Sequence, residues 1–86
     1  MASYKIQIKR SAQKEIKAVG TKKDRQRIVQ RIQELASEPR PPGAEKLSGS
    51  PYYRVRQETF RIVYEIQDDV LIIHILKVGH RKDVYR

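Results

Sequence analysis

Between residues 38 and 43 the chain reads Glu-Pro-Arg-Pro-Pro-Gly, and no regular helix runs through such a segment. Pro39, Pro41 and Pro42 have no amide hydrogen to donate, and in a helix their rings would clash with the preceding turn. The break divides the sequence into a part patterned at helical period and a part patterned at strand period. Ahead of it, Ile28, Ile32 and Leu35 fall on one helical stripe, flanked by Val29 and Ala36. Thr21 followed by Asp24 resembles a capping box, with Asp in place of the usual Glu or Gln. Ser11 is placed to cap a shorter helix through Val19, and Gly20 is a natural stop behind it. The two helices make an αα-hairpin. Before them, Tyr4, Ile6 and Ile8 alternate with Lys5, Gln7 and Lys9, the period of a half-buried strand.

After the break the period is two. Tyr53 and Val55 alternate with Arg54 and Arg56, and Phe60, Ile62, Tyr64 and Ile66 with Arg61, Val63 and Glu65. Asp68-Asp69 forms a polar turn, and the nearly unbroken apolar run from Val70 to Gly79 predicts a central strand. The expected fold is α+β: an N-terminal strand, the αα-hairpin, then a three-stranded antiparallel meander. Together these give one four-stranded sheet with the helices on one face. Arg54, Arg56 and Arg61 must then be accommodated on the other. The 86 residues hold no internal repeat, so residues 1–86 are expected to form a single domain.

Charge points to a class of partner. Nineteen Lys and Arg against ten Asp and Glu leave +9. Residues 1–10 contribute three bases and no acid (+3), 11–37 seven bases and three acids (+4), and 52–86 seven and five (+2). The excess sits on the N-terminal half, where Lys22, Lys23, Arg25, Arg27 and Arg31 form a basic outer helix surface suited to a polyanion. The cysteine-free composition fits a reducing compartment. MASYKIQIKR has no signal-peptide core, and no apolar run approaches the roughly 20 residues that span a bilayer. The expectation is a cytoplasmic protein without a membrane partner.

The available chemistry is narrow. Without cysteine there is no thiol nucleophile, and the histidines are only His74, inside an apolar strand and so near the core, and His80. No His or acid cluster has metal-ligand spacing, and no cofactor is expected. What remains is a cationic set, Arg54, Arg56, Arg61, Arg81 and Lys82, with Tyr85 close behind. Arginine is no base at neutral pH, but it binds phosphate bidentately and stabilises charge on it. RNA brings its own nucleophile, the 2′-hydroxyl, so a site that orients it and neutralises the phosphorane needs no metal. The same arginines equally suit simple backbone binding, or pairing with Glu58, Glu65 and Asp83.

Particular segments resemble one family. Tyr53-Arg54-Val55-Arg56, Phe60-Arg61-Ile62-Val63-Tyr64-Glu65 and Val78-Gly79-His80-Arg81, with Tyr85 behind, are similar to the C-terminal half of RelE/ParE-superfamily toxins. Lys46 to Gly49 looks like the turn before that family's second strand, and the likeness runs from Tyr4 to Tyr85. It implies the toxin of a type II toxin–antitoxin pair. In the RelE branch such toxins cut mRNA in the ribosomal A site and leave a 2′,3′-cyclic phosphate; the ParE branch instead poisons DNA gyrase. By the resemblance, Arg61 would stabilise the transition-state phosphate, Arg81 the phosphate or leaving group, and Tyr85 would stack on a base or orient the 2′-hydroxyl. Arg54 and Arg56 stand where some members carry lysines. A lysine with a lowered pKa serves as a base where an arginine does not, which leaves His80 and Tyr85 as candidates for that role. The implied partners are ribosome and mRNA, gripped through the helix cations and Lys82, and an acidic RelB-like antitoxin.

Overall fold

The computed structural model describes residues 3–80. Strand β1 (Lys5–Ile8) leads into helices α1 (Arg10–Lys17) and α2 (Lys22–Glu34). Strands β2 (Glu45–Lys46), β3 (Tyr52–Gln57), β4 (Phe60–Gln67) and β5 (Ile72–His80) follow. The α+β class, the helix hairpin and the antiparallel β3–β4–β5 meander are as the sequence predicts. Among the described residues the sheet has five strands rather than four, in the order β1-β5-β4-β3-β2. The extra strand is two residues long, too short to carry an alternation, and pairs Glu45 with Arg54 and Lys46 with Tyr53. A turn closed by Leu47 N–H donating to Tyr52 O (2.9 Å) joins it to β3, with Gly49 in the left-handed region at φ 76°.

β5 is central, parallel to β1 on one side and antiparallel to β4 on the other, in keeping with its apolar composition. It begins two residues later than the apolar run suggests. Val70 N–H closes a turn on Gln67 O and Leu71 takes φ 56°, so both residues sit in the turn and are exposed. α1 also starts earlier than expected. Lys9, not Ser11, is its N-cap, because the chain leaves β1 directly into the helix and Gln13 Nε2 reaches back to Ile8 O (2.9 Å). Gly20 does not act as a left-handed stop: Ala18 closes the helix, and Arg25 Nη1 donates to Val19 O (2.7 Å), satisfying a carbonyl of the connection. Thr21 does cap α2, its hydroxyl accepting from Asp24 N–H (3.2 Å).

One core joins the layers. Ala12, Ile16, Val19, Ile28, Ile32 and Leu35 of the hairpin pack with Val55, Phe60, Ile62, Tyr64, Ile73, Ile75 and Val78 of the sheet. The stripe read at Ile28, Ile32 and Leu35 is 1% exposed or less. Tyr64 is wholly buried, and its hydroxyl donates to Pro39 O (2.7 Å), which anchors the proline segment to the sheet. Burial pushes its pKa up to about 12. No helix among the described residues is long and apolar enough to cross a membrane.

Candidate nucleic-acid interface

The β3–β4 hairpin turns through Glu58 and Thr59, with Glu58 at φ 55°. That tight turn fixes the register: Gln57 faces Phe60, Arg56 faces Arg61, and Arg54 faces Val63. Side chains alternate along a strand. Because Val55, Ile62 and Tyr64 point into the core, Arg54, Arg56 and Arg61 share the face away from the helices. On the other flank of β4, Arg61 faces Gly79 of β5, which contributes no side chain. The structure thus brings three of the candidate arginines onto two adjacent strands.

Their environments differ. Arg56 is exposed, whereas Arg54 is 7% and Arg61 3% exposed. Arg54 is ion-paired with Glu45 of β2, a carboxylate with no local pattern that would place it there. Glu58 pairs instead with Arg27 of α2, and Glu65 accepts from Gln67 Nε2 (3.3 Å). Tyr52, two residues before Arg54 on the same face and 38% exposed, adds an aromatic ring beside the arginines. Period two counted back from Arg54 would have found it.

His80 stands apart from this face. It is the register partner of Phe60, with ring centroids 4.7 Å apart, and so lies on the helix side of the sheet while Arg61 lies on the other. It lines a cleft of about 230 Å3 with Glu15, Val19, Phe60, Lys77 and Gly79. His74 is half-buried on the arginine face, opposite Glu65. Arg81, Lys82 and Tyr85 lie outside the described residues. Among the described residues no three His, Asp or Glu side chains gather as a metal site would require.

The helix cations divide in the same way. Lys22 and Lys23 are exposed. Arg25 is bound to Val19 O, Arg27 is paired with Glu58, and Arg31 reaches Glu34 at 3.4 Å. Three of the five therefore have a structural engagement beside any part in a surface.

At the far end of the sheet a second polar cluster ties the termini of several elements together. Asp68 accepts from Tyr4 OH (2.5 Å) and Arg40 Nη2 (3.0 Å). Arg40 also donates to Tyr53 OH (3.2 Å) and lies over its ring, which stacks on Tyr64. The Arg40 guanidinium, then the Tyr4 hydroxyl, hold the Asp68 carboxyl below the usual carboxylate range, and the bond to Asp68 raises Tyr4.

Comparison with known proteins agrees with this architecture. The model for "ParE toxin of type II toxin-antitoxin system, parDE" matches residues 6–85. No curated protein matches the sequence. Among solved structures, the chain is similar to the RelE–RelB complex of Pyrococcus horikoshii, with a TM-score of 0.83, 25% identity and coverage of 94% of this chain and 98% of that one. The isolated Escherichia coli RelE toxin gives 0.79, 26% identity and coverage of 96% and 92%. The RelB–RelE complex of Methanococcus jannaschii gives 0.71 at 28% identity, covering 91% and 93%. The strand–hairpin–meander order, the arginine-bearing sheet face and the family match over residues 6–85 lead to one assignment: the chain belongs to the ParE toxin family of type II toxin–antitoxin systems, within the RelE/ParE superfamily.

Proposed function

We propose that this toxin is a metal-independent endoribonuclease that cleaves mRNA on the ribosome. The observation that carries the reading is the opposition of Arg56 and Arg61 across two strands, with side-chain-free Gly79 on the other flank. A sheet surface ordinarily opposes unlike charges, and like charges directly opposite are destabilising. Two guanidinium groups held together suit a phosphate, which each can bind bidentately. In the transition state the phosphorane gains charge, and donors already in place stabilise it without reorganising. The 2′-hydroxyl of the substrate loses its proton and attacks its own 3′-phosphate, closing a 2′,3′-cyclic phosphate. The bond to the next nucleotide's 5′-oxygen breaks as it does so, and that oxygen takes up a proton. The protein therefore supplies orientation, charge and proton transfer rather than a nucleophile.

In this reading Arg61 and Arg81 stabilise the phosphate and Tyr85 aligns the nucleoside. Arg56 contributes charge from the accessible side, and Arg54, tied to Glu45, braces the strand more than it meets substrate. The register of His80 with Phe60 favours Tyr85 over His80 as the proton-transfer group. Since Arg61 is 3% exposed, substrate reaches it only when what covers it moves aside. Lys22, Lys23, Arg25, Arg27, Arg31 and Lys82 provide the basic surface that docks on ribosomal RNA. The partner in the resting state is an acidic, RelB-like antitoxin; RelE is solved together with RelB in the archaeal relatives.

A second reading rests on the family model, whose description is ParE: inhibition of DNA gyrase without nuclease activity, with the buried Arg61 as a structural residue. Adding the purified toxin to an in vitro translation reaction, beside a gyrase cleavage reaction, separates the two. Specific cuts in ribosome-bound message support the ribonuclease. Gyrase-linked DNA breaks with intact message overturn it.

A further inference from the structure

β1 ends at Ile8, and the last bond from its side of the sheet is Lys9 N–H to Ile75 O (2.9 Å). Beyond that point β5 runs on to His80 with no strand among the described residues on this flank. It is also irregular there. Tyr64 faces Ile75 while its neighbour Val63 faces Lys77, so Leu76 is an extra residue, a bulge that re-aims the peptide groups after it. Val78 N–H is turned away from β4 and, among the described residues, would lack an acceptor from any strand. Glu15 of α1 supplies one: its Oε1 accepts from Val78 N–H (3.0 Å), and its Oε2 takes Lys77 Nζ (3.3 Å). Glu15 is half-buried, and α1 packs against β5, so the carboxylate is presented from a fixed base.

The residue after Val78 is Gly79, the register partner of Arg61. We infer that Glu15 is a positioning residue: its carboxylate takes the place of a strand partner, clamps the bulged end of β5, and thereby sets where Gly79 lies against Arg61. A helix residue on the far side of the sheet then governs the geometry of the arginine face through one backbone amide. The consequence for catalysis rests on the ribonuclease reading; the consequence for the strand does not. A charged acceptor makes a strong bond to an amide, and small misplacements of a reacting geometry are costly in rate.

Three variants of the full chain test it: Glu15→Ala, Glu15→Gln and Lys77→Met. Amide exchange of Val78 should accelerate about tenfold or more in Glu15→Ala, the loss of one bond to a charged acceptor. In Glu15→Gln, which keeps an acceptor oxygen, most of the protection should return. Single-turnover cleavage of ribosome-bound mRNA, at saturating toxin and corrected for the folded fraction, should slow about tenfold or more in Glu15→Ala. Ribosome affinity should hold, Glu15→Gln should recover most of the rate, and Lys77→Met should stay near wild type. Unchanged Val78 exchange in Glu15→Ala overturns the clamp. A wild-type rate from folded Glu15→Ala, or no recovery in Glu15→Gln, overturns the positioning role. Wild-type toxin that leaves ribosome-bound message intact refutes the ribonuclease reading and the catalytic half of this inference with it, while exchange still decides the clamp.

Discussion

Arg56 and Arg61 face each other across the β3–β4 ladder, one exposed and the other 3% exposed. Residues directly opposite have Cβ atoms about 4.5–5.5 Å apart, within reach of a single phosphate group for two long side chains. The contrast in exposure separates their expected roles. Arg61→Ala should slow single-turnover cleavage about 10²-fold or more, the usual loss when a preorganised electrostatic donor is removed, with ribosome affinity nearly unchanged. Arg56→Ala should act more on substrate binding than on the rate at saturation. A thermal melt beside a saturating cleavage assay checks this. Lost stability with normal cleavage by the folded fraction would make Arg61 a structural residue.

The helix surface gives a different signature. Lys22 and Lys23 are exposed, whereas charge reversal at Arg27 would also break its pair with Glu58. The double variant Lys22→Glu/Lys23→Glu should therefore weaken ribosome binding while leaving the melting temperature in place. The slope of log K against log salt should fall by about one for each phosphate contact removed. Binding isotherms at several salt concentrations measure it, and an unchanged slope would place the docking surface elsewhere.

Leu71 occupies the left-handed region at φ 56°, where a leucine costs about 1–2 kcal/mol and asparagine much less. Its side chain is 40% exposed, so little burial is lost on replacement. Leu71→Asn should stabilise the protein by about 1 kcal/mol, or about 4 °C in melting temperature for a domain of this size. Lys5 N–H still finds the carbonyl of residue 71 in the variant. A lower melting temperature would count against the strain.

The Asp68 cluster makes stability depend on pH. A carboxyl held below its unfolded value contributes stability that is present above about pH 4 and lost as pH falls through the folded value. Tyr4 and Tyr64, both raised, contribute stability that is present below about pH 10 and lost on the alkaline side. Asp68→Asn should lower the melting temperature at pH 7, and its deficit against wild type should shrink as pH drops below 4. Melts across that range decide it; a deficit independent of pH would mean the carboxylate charge plays no part.

Local chemistry made much of this molecule legible. The prolines at 39, 41 and 42 keep a helix from running through their segment, and the stripe of Ile28, Ile32 and Leu35 needs an apolar surface to cover it. Alternation around Ile62 and Tyr64 decides which side of β4 enters the core, and so which side carries Arg61. These are short-range properties, set by backbone sterics and by periods of 3.6 and 2. What faces what across strands and layers was decided only by the tertiary structure. The two residues of β2 carry no period, yet Glu45 takes Arg54; Arg27 and Glu58, 31 positions apart, meet only once α2 lies on the sheet. The bulge at Leu76 and the register that puts His80 with Phe60 follow from strands joining at their edges. Glu15 reaches Val78 because β1 stops short of the end of β5, a mismatch of lengths that exists only after both strands are in the sheet. Sequence determines which residues are apolar, cationic or unable to continue a helix. Long-range pairing decides which cations remain exposed, because each ion pair and register contact needs two segments that the chain brings together only on folding.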